Sequence, residues 1–133
     1  MKIVLASGKR KRAIARADLR AGSGIVKINN RLLDFYQPRM SMLKLKEPLI
    51  IAGDLANKID ININVRGGGI SSQADAARVA MGKALVEYSK NDKLKEDFLN
   101  YDRNILVSDV RRKEPAKPNR HGQARAKVQK SYR

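Results

Sequence analysis

Apolar and polar side chains alternate with a period of two in three stretches of this chain. In the first, Ala13, Ala15, Ala17 and Leu19 interleave with Ile14, Arg16, Asp18 and Arg20, as in a strand that turns one face to a core. The second is the short run Ile25 to Ile28, where Val26 and Ile28 fall on one side and Lys27 on the other, before Asn29-Asn30 ends it. Gly22-Ser23-Gly24 between them is a permissive turn, so the two predict a basic hairpin. The third is the most regular, with Ile59, Ile61, Ile63 and Val65 against Asp60, Asn62, Asn64 and Arg66. Between residues 32 and 55 the pattern is weaker. There Pro38 and Pro48 bound a predicted short helix around Ser41 to Lys46, since proline is tolerated at helix starts and disfavoured inside.

At Gly67-Gly68-Gly69 the period changes to a helical one. Ser71 or Ser72 is placed to cap a helix running from about Gln73 to Ser89 by accepting a hydrogen bond from an otherwise unpaired N–H. Its Ala77, Ala80, Met81, Ala84 and Tyr88, with Ala76 and Val79 beside them, form a small-residue stripe suited to lying close on a sheet. A second helix, Lys93 to Tyr101, follows the break at Asn91-Asp92. With 133 residues the expectation is one α+β domain, its core built from Ala, Ile, Leu and Val because aromatics make up only 5% and Trp is absent. Past Val110 the only sizeable apolar side chains are Val128 and Tyr132, and Pro115, Pro118 and Gly122 interrupt any regular element. The expected division is therefore a domain over residues 1–109 and an extended basic tail over 110–133, which by itself buries too little surface to offset its ordering entropy.

Charge sharpens this division. The formal net charge is +16, which favours a polyanionic partner, but its distribution says more than its sum. Residues 1–20 carry seven basic side chains and one acid, and residues 110–133 carry nine and one, whereas the 89 residues between carry 13 and 11. A nearly neutral body thus lies between two basic ends. The run Gly8-Lys9-Arg10-Lys11-Arg12 is open to three readings: a solvated loop, a localisation signal, or a finger that contacts phosphate, with RNA binding favoured. In the tail, Arg111, Arg112, Lys113, Lys117, Arg120, Arg125, Lys127, Lys130 and Arg133 alternate with small or kinked residues. Arginine pairs bidentately with phosphate or stacks on bases, and Tyr132 adds a ring beside the last arginine. A nonspecific polybasic tail is the plainer alternative.

Other chemistries find little support. With no cysteine, disulfides and thiolate metal sites are impossible and a reducing, cytoplasmic setting fits best. Ile3 to Ala6 is far shorter than the apolar core of a signal peptide, and no stretch approaches the ~20 apolar residues of a membrane span. The glycine turn before a helix can attract phosphate, or can simply permit a tight turn and close packing. It is not a nucleotide-binding loop, because Gly82-Lys83 is followed by Ala84 and no GxxxxGK[ST] pattern occurs. His121, the one histidine, lies in the tail, and no carboxylate spacing marks a catalytic pair, so neither catalysis, a metal, a cofactor nor a small-molecule substrate is expected.

The stretch from Gly67 to Leu85, with its GGG, the Ser72-Gln73 step and the later Gly82-Lys83-Ala84-Leu85 run, resembles the signature of the ribosomal protein S-nine family of the small subunit. Ser7-Gly8-Lys9-Arg10-Lys11, Ile28-Asn29-Asn30-Arg31 and Arg111-Arg112-Lys113-Glu114-Pro115 extend the likeness over essentially the whole chain. The ending Gln129-Lys130-Ser131-Tyr132-Arg133 and the modest length are similar to the archaeal branch. The resemblance implies a fold like the ribosomal S-five domain-two-like type, docked on small-subunit rRNA in the head and touching neighbouring small-subunit proteins. It also implies a tail that reaches the anticodon stem-loop of peptidyl-site tRNA. Taken with the charge pattern, it assigns rRNA contacts to Lys9, Arg10, Lys11, Arg12, Arg16, Gly67, Gly68, Gly69, Ser71, Ser72, Gln73, Arg78, Arg111, Arg112, Lys113, Lys117, Arg120, His121, Arg125 and Lys127. Lys130, Tyr132 and Arg133 fall to the tRNA, although Tyr132 stands where bacterial members usually carry Lys, and Val128 where relatives often carry an aromatic. A chromatin-type architectural DNA binder is the alternative function, and a small phosphate-ester enzyme using the glycine turn a third.

Overall fold

The computed structural model describes residues 1–125. Five strands, β1 (Ile3–Arg10), β2 (Ala13–Ala21), β3 (Val26–Ile28), β4 (Arg31–Leu32) and β5 (Ile59–Arg66), build one sheet. Three helices, α1 (Arg39–Ala52), α2 (Ile70–Ser89) and α3 (Asp92–Tyr101), complete a small α+β domain. The strand order is β1-β2-β5-β3-β4, with β3 parallel to β5 and every other pairing antiparallel. Residues 110–125 contain neither helix nor strand.

The alternating positions bury as expected: Ala13, Ala15, Ala17 and Leu19 of β2, and Ile59, Ile61, Ile63 and Val65 of β5, all face the core. The partner of β2 is not the expected one. β5 inserts between β2 and β3, and the hairpin is instead β1–β2, closed by Lys11 and Arg12. Alternation specifies which face of a strand is buried and is silent about its neighbour. Gly22-Ser23-Gly24 is held against the start of β5 rather than closing a hairpin, since the N–H groups of Gly22 and Gly24 donate to the carbonyls of Lys58 and Ile59 at 3.0 Å each.

Helix boundaries also differ from expectation. Pro38 occupies the N-cap position of α1, but Pro48 lies within the helix, which continues to Ala52. Pro48 forgoes one backbone hydrogen bond, and its ring is buried on the same face as Leu45, so packing holds the helix together past it. α2 starts at Ile70, which puts Ser71 and Ser72 inside the first turn; the cap is Gly69, with no side-chain hydrogen bond. α3 starts at Asp92, one residue before the expected Lys93, and Asn91 caps it by accepting from the Lys93 N–H at 3.0 Å.

The small-residue stripe of α2 lies across β1 and β2, buried from Ala74 through Leu85. Gly8 makes the closest approach: a Cβ there would stand 2.4 Å from the Ala76 carbonyl oxygen and 2.7 Å from the Ala80 nitrogen. α3 adds the largest fully buried side chain, Phe98, beside Met81, Leu85 and Ile105. All helices share one face of the sheet. The other face is open and presents Leu5, Lys9, Ile14, Arg16, Asn64 and Arg66 to solvent.

Candidate nucleic-acid interface

The end of the sheet where β1 turns into β2 is also where β5 stops. Arg10 is paired with Ala13 and Ile14 with Arg66, so the Lys11-Arg12 turn and the Gly67-Gly68-Gly69 turn sit side by side. Lys11 takes a left-handed φ of 53°. Gly67, at φ 76°, presses so closely on the hairpin that a Cβ would come within 2.7 Å of the Arg12 carbonyl oxygen. Close packing thus accounts for the first two glycines, whereas Gly69 faces open space at the mouth of α2. From Gly69 inward, the first intrahelical bond is Gln73 N–H to the Gly69 carbonyl at 2.9 Å, which leaves the amides of Ile70, Ser71 and Ser72 directed out of the helix beside the hairpin. The Gln73 side chain donates back to the Gly67 carbonyl at 3.1 Å and braces the turn.

Around this corner stand exposed cations. Lys9, Lys11, Arg12 and Arg16 are exposed, and none has a carboxylate within 4.0 Å among the described residues. The register places Lys9 and Arg66 on either side of Ile14 on the open face, which adds Arg66 to the set. Sequence reasoning missed Arg66, although its position as the last polar residue of β5 before the glycines was a usable signal.

Arg10 and Arg78 behave differently. The Arg10 guanidinium pairs with the Asp109 carboxylate, and its Nε lies 3.9 Å from Asp75. Asp109 also accepts from the Arg111 backbone N–H at 2.9 Å and from Arg111 Nη2 at 2.6 Å. Those hydrogen bonds, helped by the charges of Arg10 and Arg111, hold the Asp109 carboxyl far below the usual carboxylate range. Arg112 donates to the Asp109 carbonyl at 2.9 Å, so the segment opening at Arg111 is fastened beside the tip of the hairpin. Arg78 turns inward, its side chain only 12% exposed, and pairs with Glu47 and, at 2.8 Å, with Asp102, tying α2 to α1 and to the segment after α3. Burial alone raises the Asp102 carboxyl, yet hydrogen bonds from Arg78 and the Asn104 N–H together lower it.

Farther out, Lys113 and Lys117 are exposed. Arg125 pairs with Glu114, its Nε at 2.7 Å, and Arg120 donates to the Ala124 carbonyl at 3.3 Å across a turn in which His121 has φ 54°. Lys127, Lys130, Tyr132 and Arg133 lie outside the described residues. Among the described residues no cluster of three potential metal ligands occurs, and no helix is long and apolar enough to cross a membrane.

A family profile described as "Ribosomal protein S9/S16" matches residues 8–133. The chain is similar to curated proteins named "Small ribosomal subunit protein uS9". That of Methanococcus maripaludis strain C7 is 52% identical, and that of Methanococcus vannielii 50%, each over 100% of both chains.

Proposed function

The chain belongs to the ribosomal protein S9/S16 family, a structural, non-enzymatic component of the cytoplasmic small ribosomal subunit, and from that premise we propose how it holds RNA. The observation that carries the proposal is convergence. Two basic segments about a hundred positions apart in sequence meet at one end of the sheet, because Asp109 joins Arg10 to Arg111. The hairpin tip, Arg16, the Gly69 mouth of α2 and the tail root then form one cationic corner that wraps small-subunit rRNA in the head. Lys and Arg neutralise phosphates as counterions are released, and the outward amides of α2 add uncharged donors. Arg78 contributes indirectly, by holding the helices that carry the corner.

In this reading residues 1–109 are the docking domain, of the ribosomal S-five domain-two-like fold; the crossover from β3 through α1 to parallel β5 supports that assignment. Residues 110–133 are the tail, which follows rRNA toward the peptidyl site, with Lys130, Tyr132 and Arg133 against tRNA phosphate. About eight phosphate contacts along the tail correspond to a log–log salt slope near −6. The test has two arms. The chain should sediment with small subunits from cell extract, and bind structured rRNA in preference to duplex DNA with that steep salt dependence; equal affinity for the duplex would favour the architectural-binder alternative. Removing residues 131–133 should leave assembly intact and speed tRNA dissociation from the peptidyl site, and unchanged dissociation would refute the tail assignment.

A further inference from the structure

The pole opposite the cationic corner has a different chemistry. Gly24 is bound to the first residue of β5, and the corner lies at the last, seven residues or about 23 Å away. Here β4, α1 and the 3-10 segment Gly53–Lys58 enclose a groove of about 640 Å³. Its walls include Ile25, Leu32 and Ile50, and the last is 75% exposed on α1. Phe35, next in the chain to the groove residue Asp34, is 72% exposed.

The charge on this groove runs against that of the whole chain. Its lining holds Asp34 and Asp54 and a single cation, Lys46, which is already paired with Asp34 at 3.0 Å. In a protein of net charge +16 the groove lining thus holds more acids than cations, and Asp54 has no ion-pair partner among the described residues. β4 is the terminal strand of the sheet, so its outer edge has no strand partner among the described residues. Exposed apolar side chains beside an open strand edge suit the docking of an extended segment.

We infer that this groove receives an extended apolar segment, flanked by Lys or Arg, from a neighbouring protein of the small subunit. The inference rests on the family reading, since it presupposes a place in the subunit among other basic proteins. The apolar side chains fill the space between Leu32 and Ile50, and the flanking cation meets Asp54 and the exposed carboxylate of Asp34. The chain therefore has two poles, one for RNA and one for protein.

The test places a photo-crosslinking amino acid at position 50 of the full chain, incorporates the chain into small subunits, and maps the crosslinked product by mass spectrometry. The expected product is a peptide of one other small-subunit protein, apolar and with Lys or Arg within a few residues of the attachment. Replacing both acids, Asp34→Lys with Asp54→Lys, should cut its yield roughly fivefold or more, while crosslinks from position 11 to rRNA persist. Crosslinks to rRNA, to a second copy of the chain or to an acidic peptide would each overturn the inference. So would no crosslink at all from chains that have entered subunits, or a yield indifferent to the two lysines. Chains that never enter subunits would overturn the family-based proposal as well.

Discussion

Consider the triple variant Lys9→Gln, Lys11→Asn, Arg12→Gln, which strips the hairpin tip of charge without touching the core. Asparagine is chosen at position 11 because it tolerates the left-handed conformation that Lys11 adopts there. The three side chains are exposed and have no carboxylate partner among the described residues, so their charges are available to phosphate. Each phosphate contact contributes about 0.7 to the log–log salt slope on single strands and about 0.9 on duplex. Losing three should flatten the slope by about 2.1 to 2.7, equivalent to roughly 100- to 500-fold weaker binding at 0.1 M salt. The folded domain should change by less than about 0.5 kcal/mol, as surface substitutions usually do. Arg10→Gln is the comparison: its guanidinium already pairs with Asp109 and is not free for phosphate, so the slope should flatten less than in Arg12→Gln. The assay is equilibrium filter binding to a small-subunit rRNA fragment over a series of salt concentrations. A triple variant with an unaltered slope, or an Arg10→Gln slope that flattens as much as that of Arg12→Gln, would refute the assignment of phosphate contacts at the tip.

Gly8→Ala should destabilise the domain by about 1–3 kcal/mol, because the added methyl meets helix backbone that cannot turn aside; thermal melting should fall by roughly 3–15 °C. Arg78→Met should cost about 1–3 kcal/mol in denaturant unfolding, less than a fully buried pair because Glu47 and Asp102 are about one-third exposed, and should leave the salt slope of RNA binding unchanged. Asp102 and Asp109 are both held below the ordinary carboxylate value of 3.8, so the stability they contribute is complete above that pH and is lost as pH falls below it. An acid titration of unfolding should therefore show a stability loss below about pH 4 that is smaller in Asp109→Asn.

Much of the fold was legible from local pattern. The strict alternation of β2 and β5 and the small-residue stripe of α2 each depend on one face meeting a core, a property that a short window of sequence records. β1 escaped notice because Gly8 takes a buried position with no side chain to announce it, and its basic residues suggested a loop. The pairing of β2 with β5 rather than β3 depends on residues about 45 positions apart, and no local period encodes it. The site divides the same way. Lys11, Arg12 and the glycine turn were visible as a charge run and a breaker, but their adjacency was not. Nor was the difference between Arg10 and Arg12, which lies in a carboxylate 99 residues downstream. The groove is assembled from residues of three separate segments, none of them unusual alone.

The place of β5 in the middle of the sheet has a consequence for synthesis. As the chain leaves the ribosome that makes it, the first 58 residues hold β1 to β4 and α1, yet β2 and β3 have no bridge until Ile59–Arg66 emerges. The early product is a lone hairpin with a strongly cationic tip, and two-stranded pieces of that kind are marginal in water. Protease protection of stalled nascent chains should accordingly rise in one step after β5 clears the exit tunnel, and protection already present in shorter chains would contradict it.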